Sequence, residues 1–188
     1  RQKQLGYLAE NNPLYEEMYV KEFLLFVAKI HQLNNPQDAV DDVIGKVGLT
    51  PEKGKKIGQL SKGYQQRVGI AQAIIHDPDV LILDEPTSGL DPLQLDEIRT
   101  LIKTLGKNKT VLLSTHIMQE VESICDRIIV IRKGEIVADQ GIKDDLNRSD
   151  EQVIVVEFDQ EPNEKELIVF LGEKTKIKKK GSSLVIAS

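Results

Sequence analysis

The stretch from Leu60 to Asp91 constrains the fold of this 188-residue chain more than any other part. It contains a turn with Ser61 and Gly63 that opens an amphipathic helix, and then the apolar run Val80–Leu83. An apolar run without polar alternation predicts a strand that is buried on both faces of a parallel sheet. A helix, a buried strand and a tight turn in this order predict an α/β fold.

The ends of these elements carry side chains that suit a metal-nucleotide site. Ser61 is a good N-cap, and the free N–H groups of a helix N-terminus near Gly63 favour an anion such as phosphate. Asp84 and Glu85 follow the strand, at the edge where parallel α/β sheets bind ligands. Two carboxylates there suit a site in which one orients Mg²⁺ and the other polarises water.

Four short motifs in order carry a resemblance to a known family. LSKGYQQ resembles the signature motif of ABC-type ATPases, VLILDEP their Walker B strand, SGLD their D-loop, and Ser114-Thr115-His116 their switch histidine. Their order and spacing together are far more specific than any one of them. The resemblance covers about Leu5 to Leu146 and implies an α/β fold: a partial ABC ATPase core of the P-loop NTPase type with a helical subdomain, followed by a small α+β extension.

The resemblance implies an ATP hydrolase that uses ATP and Mg²⁺, with roles for single residues. Glu85 would be the general base, and His116 would hold the γ-phosphate and the attacking water. Asp84 would hold Mg²⁺ through water. Ser61 and Gly63 would grip the ATP held by the second subunit of a head-to-tail dimer.

Two further residues gain roles from the same resemblance. Asp91, in the D-loop motif, would communicate across the dimer. Glu10 stands where the family's Q-loop usually has a glutamine that senses the γ-phosphate and Mg²⁺. An acid there can reach a metal ion but cannot donate a hydrogen bond. A solvated loop acid is the alternative interpretation of Glu10.

A polar stretch at residues 147–151 predicts a boundary within the chain. The resemblance implies a partial ATPase domain over residues 1–148, with a helical subdomain at about 16–76. After it we expect a small β-α-β-β accessory segment over 149–188. Strands are predicted at Val153–Phe158, near Ile177 and at Leu184–Ile186, with a helix around Leu167–Leu171. The lysines near residue 178 are expected on an edge strand, where they block edge pairing.

The phosphate-binding motif G-x-x-x-x-G-K followed by Ser or Thr does not occur in these 188 residues. In the family this P-loop precedes the Q-loop, so we expect it upstream of Arg1, in a chain that is truncated at its N-terminus. The accessory segment is expected to be truncated too. We therefore expect ATP hydrolysis from the parent protein and none from this chain alone.

Composition narrows the function classes. Lys and Arg number 25 against 30 for Asp and Glu, and the net charge of −5 gives no support to nucleic-acid binding. No apolar run approaches the roughly 18 residues that a membrane span needs. The single Cys125 excludes an internal disulfide.

The expected function is that of the ATP-binding subunit of an ABC transporter, coupling ATP hydrolysis to transport through a transmembrane permease. It would be cytoplasmic and peripheral on the inner face of the membrane. The motif wording most resembles subunits of multidrug or gliding-motility-type exporters. A soluble ABC-type ATPase acting on ribosomes or DNA is the main alternative, and a catalytically silent interaction module is a third.

Overall fold

A computed structural model of the chain describes residues 4–142 and the strands Val153–Glu157, Lys176–Lys180 and Ser183–Ala187. The chain divides into two compact units, residues 1–125 and 126–188. The predicted domain boundary at 148/149 and the predicted helix around Leu167–Leu171 lie outside the described residues. Both stay predictions.

A three-stranded parallel sheet forms the centre of the first unit. Its strands are β1 (Leu5–Leu8), β2 (Val80–Asp84) and β3 (Thr110–Ser114), with β2 in the middle. Helix α4 (Pro92–Gly106) connects β2 to β3, and the three elements form a parallel βαβ unit. Because the strands are parallel, their C-terminal ends meet at one edge.

Three α-helices lie between β1 and β2, namely α1 (Val20–Ile30), α2 (Pro36–Lys46) and α3 (Lys62–Ile74), and two short 3-10 helices, Thr50–Glu52 and Ile57–Gln59, connect α2 to α3. Each helix buries one apolar face in the core, formed by Val20, Phe23, Leu24 and Val27 in α1, Val40, Val43 and Ile44 in α2, and Val68 and Ala71 in α3. Ile30, the last residue of α1, is 61% exposed. Within the described ranges, no helix is both long and apolar enough to cross a membrane.

The end of α2 is joined to α3 and α4 by a single side chain. The chain leaves α2 through Gly48, whose positive φ of 70° favours glycine. The guanidinium of Arg67 in α3 donates to the Val47 carbonyl at 2.6 Å and to the Glu97 carboxylate of α4 at 2.6 Å. Arg67 thereby holds α3, whose N-terminus carries the signature motif, against both neighbours.

Among the described residues, the two faces of the parallel sheet differ in burial. Leu81 and Leu83 are fully buried in the core that α3 and α4 complete. Tyr7 and Leu112, which share a register line with Ile82, are 54% and 55% exposed. The prediction that the Val80–Leu83 strand is buried on both faces is confirmed only in part, because Val80 and Ile82 on its second face are partly buried. A continuous apolar run permits burial on two faces, but the described helices cover only one.

Helix α5 (Met118–Ile124) closes the first unit, and the second unit begins with a hairpin of β4 (Arg127–Arg132) and β5 (Glu135–Gly141). Its turn is at Lys133 and Gly134, and both have positive φ. The predicted later strands are confirmed as β6 (Val153–Glu157), β7 (Lys176–Lys180) and β8 (Ser183–Ala187). They form an antiparallel sheet of order β6-β8-β7, so the lysine-rich β7 lies at an edge of it among the described strands.

Candidate functional site

The chain turns sharply at the C-terminal end of β2. Asp84 is the last residue of the strand and is paired in register with Ser114 of β3. The Glu85 N–H donates to the Ser114 carbonyl at 2.9 Å, and Glu85 has a φ of 45°. A residue other than glycine in this left-handed region costs on the order of 1 kcal/mol, and such conformations concentrate at functional sites. The turn places the Glu85 side chain beside the loop that follows β3.

Glu85 and His116 form a direct contact at this edge of the sheet. His116 Nδ1 lies 2.8 Å from Glu85 Oε1. The Glu85 side chain is 14% exposed, whereas that of His116 is 77% exposed. The hydrogen bond to Glu85, and then its negative charge, raise the pKa of His116 above the ordinary histidine value. The pair therefore favours a positively charged imidazole next to a sheltered carboxylate.

The second carboxylate oxygen of Glu85 lacks a partner. Glu85 Oε2 is buried and accepts no hydrogen bond in the structure. A buried oxygen without a donor is costly, and a bound water that donates to it would remove that cost. Glu85 Oε2 is therefore suited to accept a hydrogen bond from a bound water.

Asp84 and Glu10 belong to the same edge. Asp84 is partly buried, and Glu10 is exposed in the turn that follows β1. The charge of Glu10 makes a small contribution to the raised pKa of His116. In the described part of the chain, no three His, Cys, Asp or Glu side chains are grouped as a metal site requires. The metal-binding roles of Asp84 and Glu10 stay predictions.

Ser61, Gly63 and Asp91 form a second group around the N-termini of two helices. Ser61 caps α3 by accepting from the Tyr64 N–H at 3.4 Å, and Asp91 caps α4 by accepting from the Gln94 N–H at 2.9 Å. The Gln94 side chain donates to Ser61 Oγ at 3.2 Å. These contacts bring the predicted signature residues and the predicted D-loop aspartate together.

Gln94 also fills the space beside Gly63. A Cβ added at Gly63 would lie 2.6 Å from the Gln94 amide carbon, so the glycine permits this close packing. A ligand that approaches the backbone at Gly63 must displace the Gln94 side chain. The sequence analysis missed Gln94, although Asp91 and Gln94 match the capping-box spacing that places a glutamine in the first turn of a helix.

A fully buried acid, Glu120, is bonded to the two loops that carry Glu85 and His116. Its carboxylate accepts hydrogen bonds from the hydroxyls of Thr87 and Thr115. The sequence places it within a short helix after the switch histidine, and nothing in the local pattern shows that its side chain is buried. Sequence reasoning therefore missed this residue as well.

The fold and the two groups of residues define an ATP-binding domain of the ABC type. Residues 1–88 match the ABC transporter family. The chain is 36% identical over 184 residues to YdbJ of Bacillus subtilis (strain 168), an uncharacterized ABC transporter ATP-binding protein, with 97% of this chain and 58% of YdbJ covered. It is 40% identical over 137 residues to the bacitracin transport ATP-binding protein BcrA of Bacillus licheniformis, with 72% and 44% covered.

A solved structure supports the same assignment. The structure of cbiO1 from Clostridium perfringens, part of the ABC transporter complex cbiONQ, matches with a TM-score of 0.70 at 30% identity. The match covers 78% of this chain and 60% of cbiO1. The chain belongs to the ABC transporter ATP-binding family, and it spans about half the length of the curated relatives it matches.

Proposed function

We propose that this chain forms part of the ATP-binding subunit of an ABC transporter, in which Glu85 and His116 carry out ATP hydrolysis. The observation that carries the proposal is their 2.8 Å contact at the C-terminal edge of the parallel sheet, next to the partnerless Oε2 of Glu85. The relatives named as transport ATP-binding proteins favour a transporter over a soluble ATPase acting on ribosomes or DNA.

Glu85 is suited to act as the general base. Its Oε1 is held by His116, whereas Oε2 is buried and free to accept a proton from an attacking water. Because the contact with His116 fixes the orientation of the Glu85 carboxylate, the position of Oε2 is set before any ligand binds. A base held in this way loses little freedom when water binds.

His116 is suited to hold a phosphate oxygen. The raised pKa favours its protonated form, which has a hydrogen-bond donor on each ring nitrogen. Nδ1 is used by Glu85, and this leaves the Nε2–H as a donor to phosphate on a largely exposed ring. His116 would thus contact both the general base Glu85 and the negatively charged phosphate that its own charge stabilises.

The remaining predicted residues would hold ATP and Mg²⁺. Asp84 would bind Mg²⁺ through water, and Glu10 would reach the same ion from the turn after β1. Ser61, Gly63 and Asp91 would act on the nucleotide of a second, head-to-tail subunit after Gln94 moves aside. Bound Mg²⁺ would supply charge neutralisation for the phosphate groups.

The partners and location follow from the same assignment. We propose a second ATP-binding subunit and a transmembrane permease as partners, with the protein peripheral on the cytoplasmic face of the membrane. The cbiO1 neighbour, described as part of a transporter complex, and the bacitracin transport relative support a permease partner. The excess of acidic over basic residues gives no support to nucleic acid as a partner.

Calorimetric titration with Mg-ATP tests the proposed function. We expect no tight binding by the 188-residue chain, because it has no G-x-x-x-x-G-K motif, and tight binding by a version extended upstream to include such a motif. In that extended protein, Glu85→Gln should retain ATP binding and lose hydrolysis by about 100-fold or more. Glu122→Gln, at an exposed acid outside the site, is the matched control. Equal, tight binding by both proteins, or normal hydrolysis by Glu85→Gln, would contradict the proposal.

A further inference from the structure

Glu120 is a buried acid that the proposed function does not use. It lies in the first turn of α5 and is 0% exposed. Among the described residues, Thr87 is the only other polar side chain that is buried to this extent, at 2% exposed. Charged side chains are almost never fully buried without partners. The partners of Glu120 therefore indicate what it does.

The two carboxylate oxygens of Glu120 bind two different loops. Oε1 accepts from the Thr87 hydroxyl at 2.5 Å, and Oε2 accepts from the Thr115 hydroxyl at 2.9 Å. Thr87 lies in the loop after β2, and Thr115 lies in the loop after β3. One carboxylate thus connects the ends of two neighbouring parallel strands. Hydrogen bonds to a charged acceptor are stronger than those between neutral groups.

The same two loops carry the proposed catalytic pair. Glu85 precedes Thr87 by two residues, and His116 directly follows Thr115. Thr115 Oγ1 also accepts from the Ile117 N–H at 3.2 Å, and the Glu120 N–H donates to the Ile117 carbonyl at 3.0 Å. The backbone on the far side of His116 is therefore fixed to the same acid. Movement of either loop would stretch these bonds and the 2.8 Å contact between Glu85 and His116 together.

We propose that Glu120 is a positioning residue, whose buried carboxylate holds the Thr87 and Thr115 loops in register and so maintains the contact between Glu85 and His116. The effect of Glu120 on ATP hydrolysis rests on the proposed function. Its effect on the contact between Glu85 and His116 does not, because that contact is present in this chain without a nucleotide.

A purely structural role for Glu120 predicts a different result. An acid in the first turn of a helix stabilises that helix through the dipole, whatever happens at the site. Loss of that role would change the free energy of unfolding and leave the His116 ring unaffected in the folded protein. The environment of His116 therefore distinguishes the two roles.

The first test is ¹⁵N NMR of histidine side chains in the 188-residue chain, comparing wild type with Thr87→Val. Valine matches threonine in shape but removes the hydroxyl that Glu120 binds, and every charge at the site stays. The chain has three histidines, so His31 and His76 are internal references. At a fixed pH near neutrality, we expect the His116 ring signals to shift toward those of an unbonded imidazole while the references stay unchanged.

Two control variants accompany this measurement. Thr87→Ser keeps the hydroxyl and should restore the wild-type His116 signals. Thr100→Val removes a hydroxyl that donates to the Asp96 carbonyl on the exposed face of α4, and it should leave His116 unchanged. A folded Thr87→Val protein with wild-type His116 signals would overturn the proposal. If Thr87→Val does not fold, Thr115→Val with Thr115→Ser as its rescue gives the same reading.

A second measurement separates this inference from the proposed function. In the version extended upstream with the G-x-x-x-x-G-K motif, Thr87→Val should lower the kcat for ATP by about 10- to 100-fold, as expected for a misplaced catalytic group, with KM little changed. Altered His116 signals together with no ATPase in the unsubstituted protein would remove the proposed function and leave the positioning role. An active protein whose Thr87→Val variant keeps its kcat would overturn the catalytic part of the inference.

Discussion

At the scale of single residues, strand register explains why Glu85 and His116 meet. They are 31 positions apart in the chain, yet their side chains are 2.8 Å apart. Each follows the end of a neighbouring strand, and Asp84 is paired with Ser114 in the last step of the ladder. Both residues could be predicted from motifs that follow buried strands. Their hydrogen bond and the burial of Oε2 depend on the turn at Glu85, whose φ of 45° no local pattern predicts.

The pair predicts a pH dependence of stability. Since Glu85 raises the pKa of His116 in the folded chain, the contact contributes stability fully below the unfolded pKa of about 6.5. That contribution is lost as pH rises through the raised folded pKa. Glu85→Gln should move the His116 pKa back toward its ordinary value and remove this part of the pH dependence.

Urea unfolding of the 188-residue chain at several pH values on both sides of 6.5 checks the prediction, together with an NMR titration of His116. Glu122→Gln serves as the control for loss of one negative charge, and it should keep the wild-type pH dependence. An unchanged His116 pKa in Glu85→Gln would show that the contact is absent in solution.

At the scale of elements, the approach of β1 to α3 depends on one glycine. A Cβ added at Gly6 would overlap the Ala73 carbonyl oxygen on α3, at a separation that real Cβ atoms essentially never show. The neighbouring atom is backbone and cannot rotate away. Strand and helix can therefore pack this tightly only with glycine at position 6.

Two glycine substitutions should have opposite effects on stability. Gly6→Ala should lower the free energy of unfolding by about 1–3 kcal/mol, since the helix must move away from the strand. Gly45→Ala, in α2 with nothing within 4 Å of the added Cβ, should raise it by up to about 1 kcal/mol through better helix propensity. Urea unfolding measures both changes. A neutral Gly6→Ala would mean that β1 and α3 lie further apart than described.

At the scale of the whole molecule, one face of the parallel sheet exposes more apolar surface among the described residues than its apolar sequence predicts. Tyr7 and Leu112 are each more than half exposed there, beside the partly buried Ile82. Contiguous exposed apolar side chains favour association and binding of hydrophobic dyes. The 188-residue chain should therefore associate with itself as its concentration rises.

Leu112→Lys should weaken this association. A lysine at the centre of the open face adds charge where apolar surface would otherwise be buried between molecules. Leu93→Lys is the matched control, because Leu93 is 73% exposed on α4 and lies outside this sheet. Sedimentation velocity and hydrophobic dye fluorescence measure the effect. Equal association by both variants would place the contact elsewhere.

The sequence by itself determined the elements and the family. The apolar periodicity of α1 to α4, the N-caps at Ser61 and Asp91, and the order of the four motifs are local features of the chain. Each depends on residues that are close in sequence, so propensity and spacing are sufficient to predict it. The same holds for the positions of Asp84, Glu85 and His116 at the ends of strands.

Only the tertiary structure decided which faces are buried and which side chains meet. Gln94 binds Ser61 across 33 positions, and Glu120 binds Thr87 across the same separation. The exposed face of β1 to β3 likewise depends on where the helices pack. These features arise from contacts between distant segments, whose free energy depends on packing geometry. That geometry cannot be predicted from residues that are close in sequence.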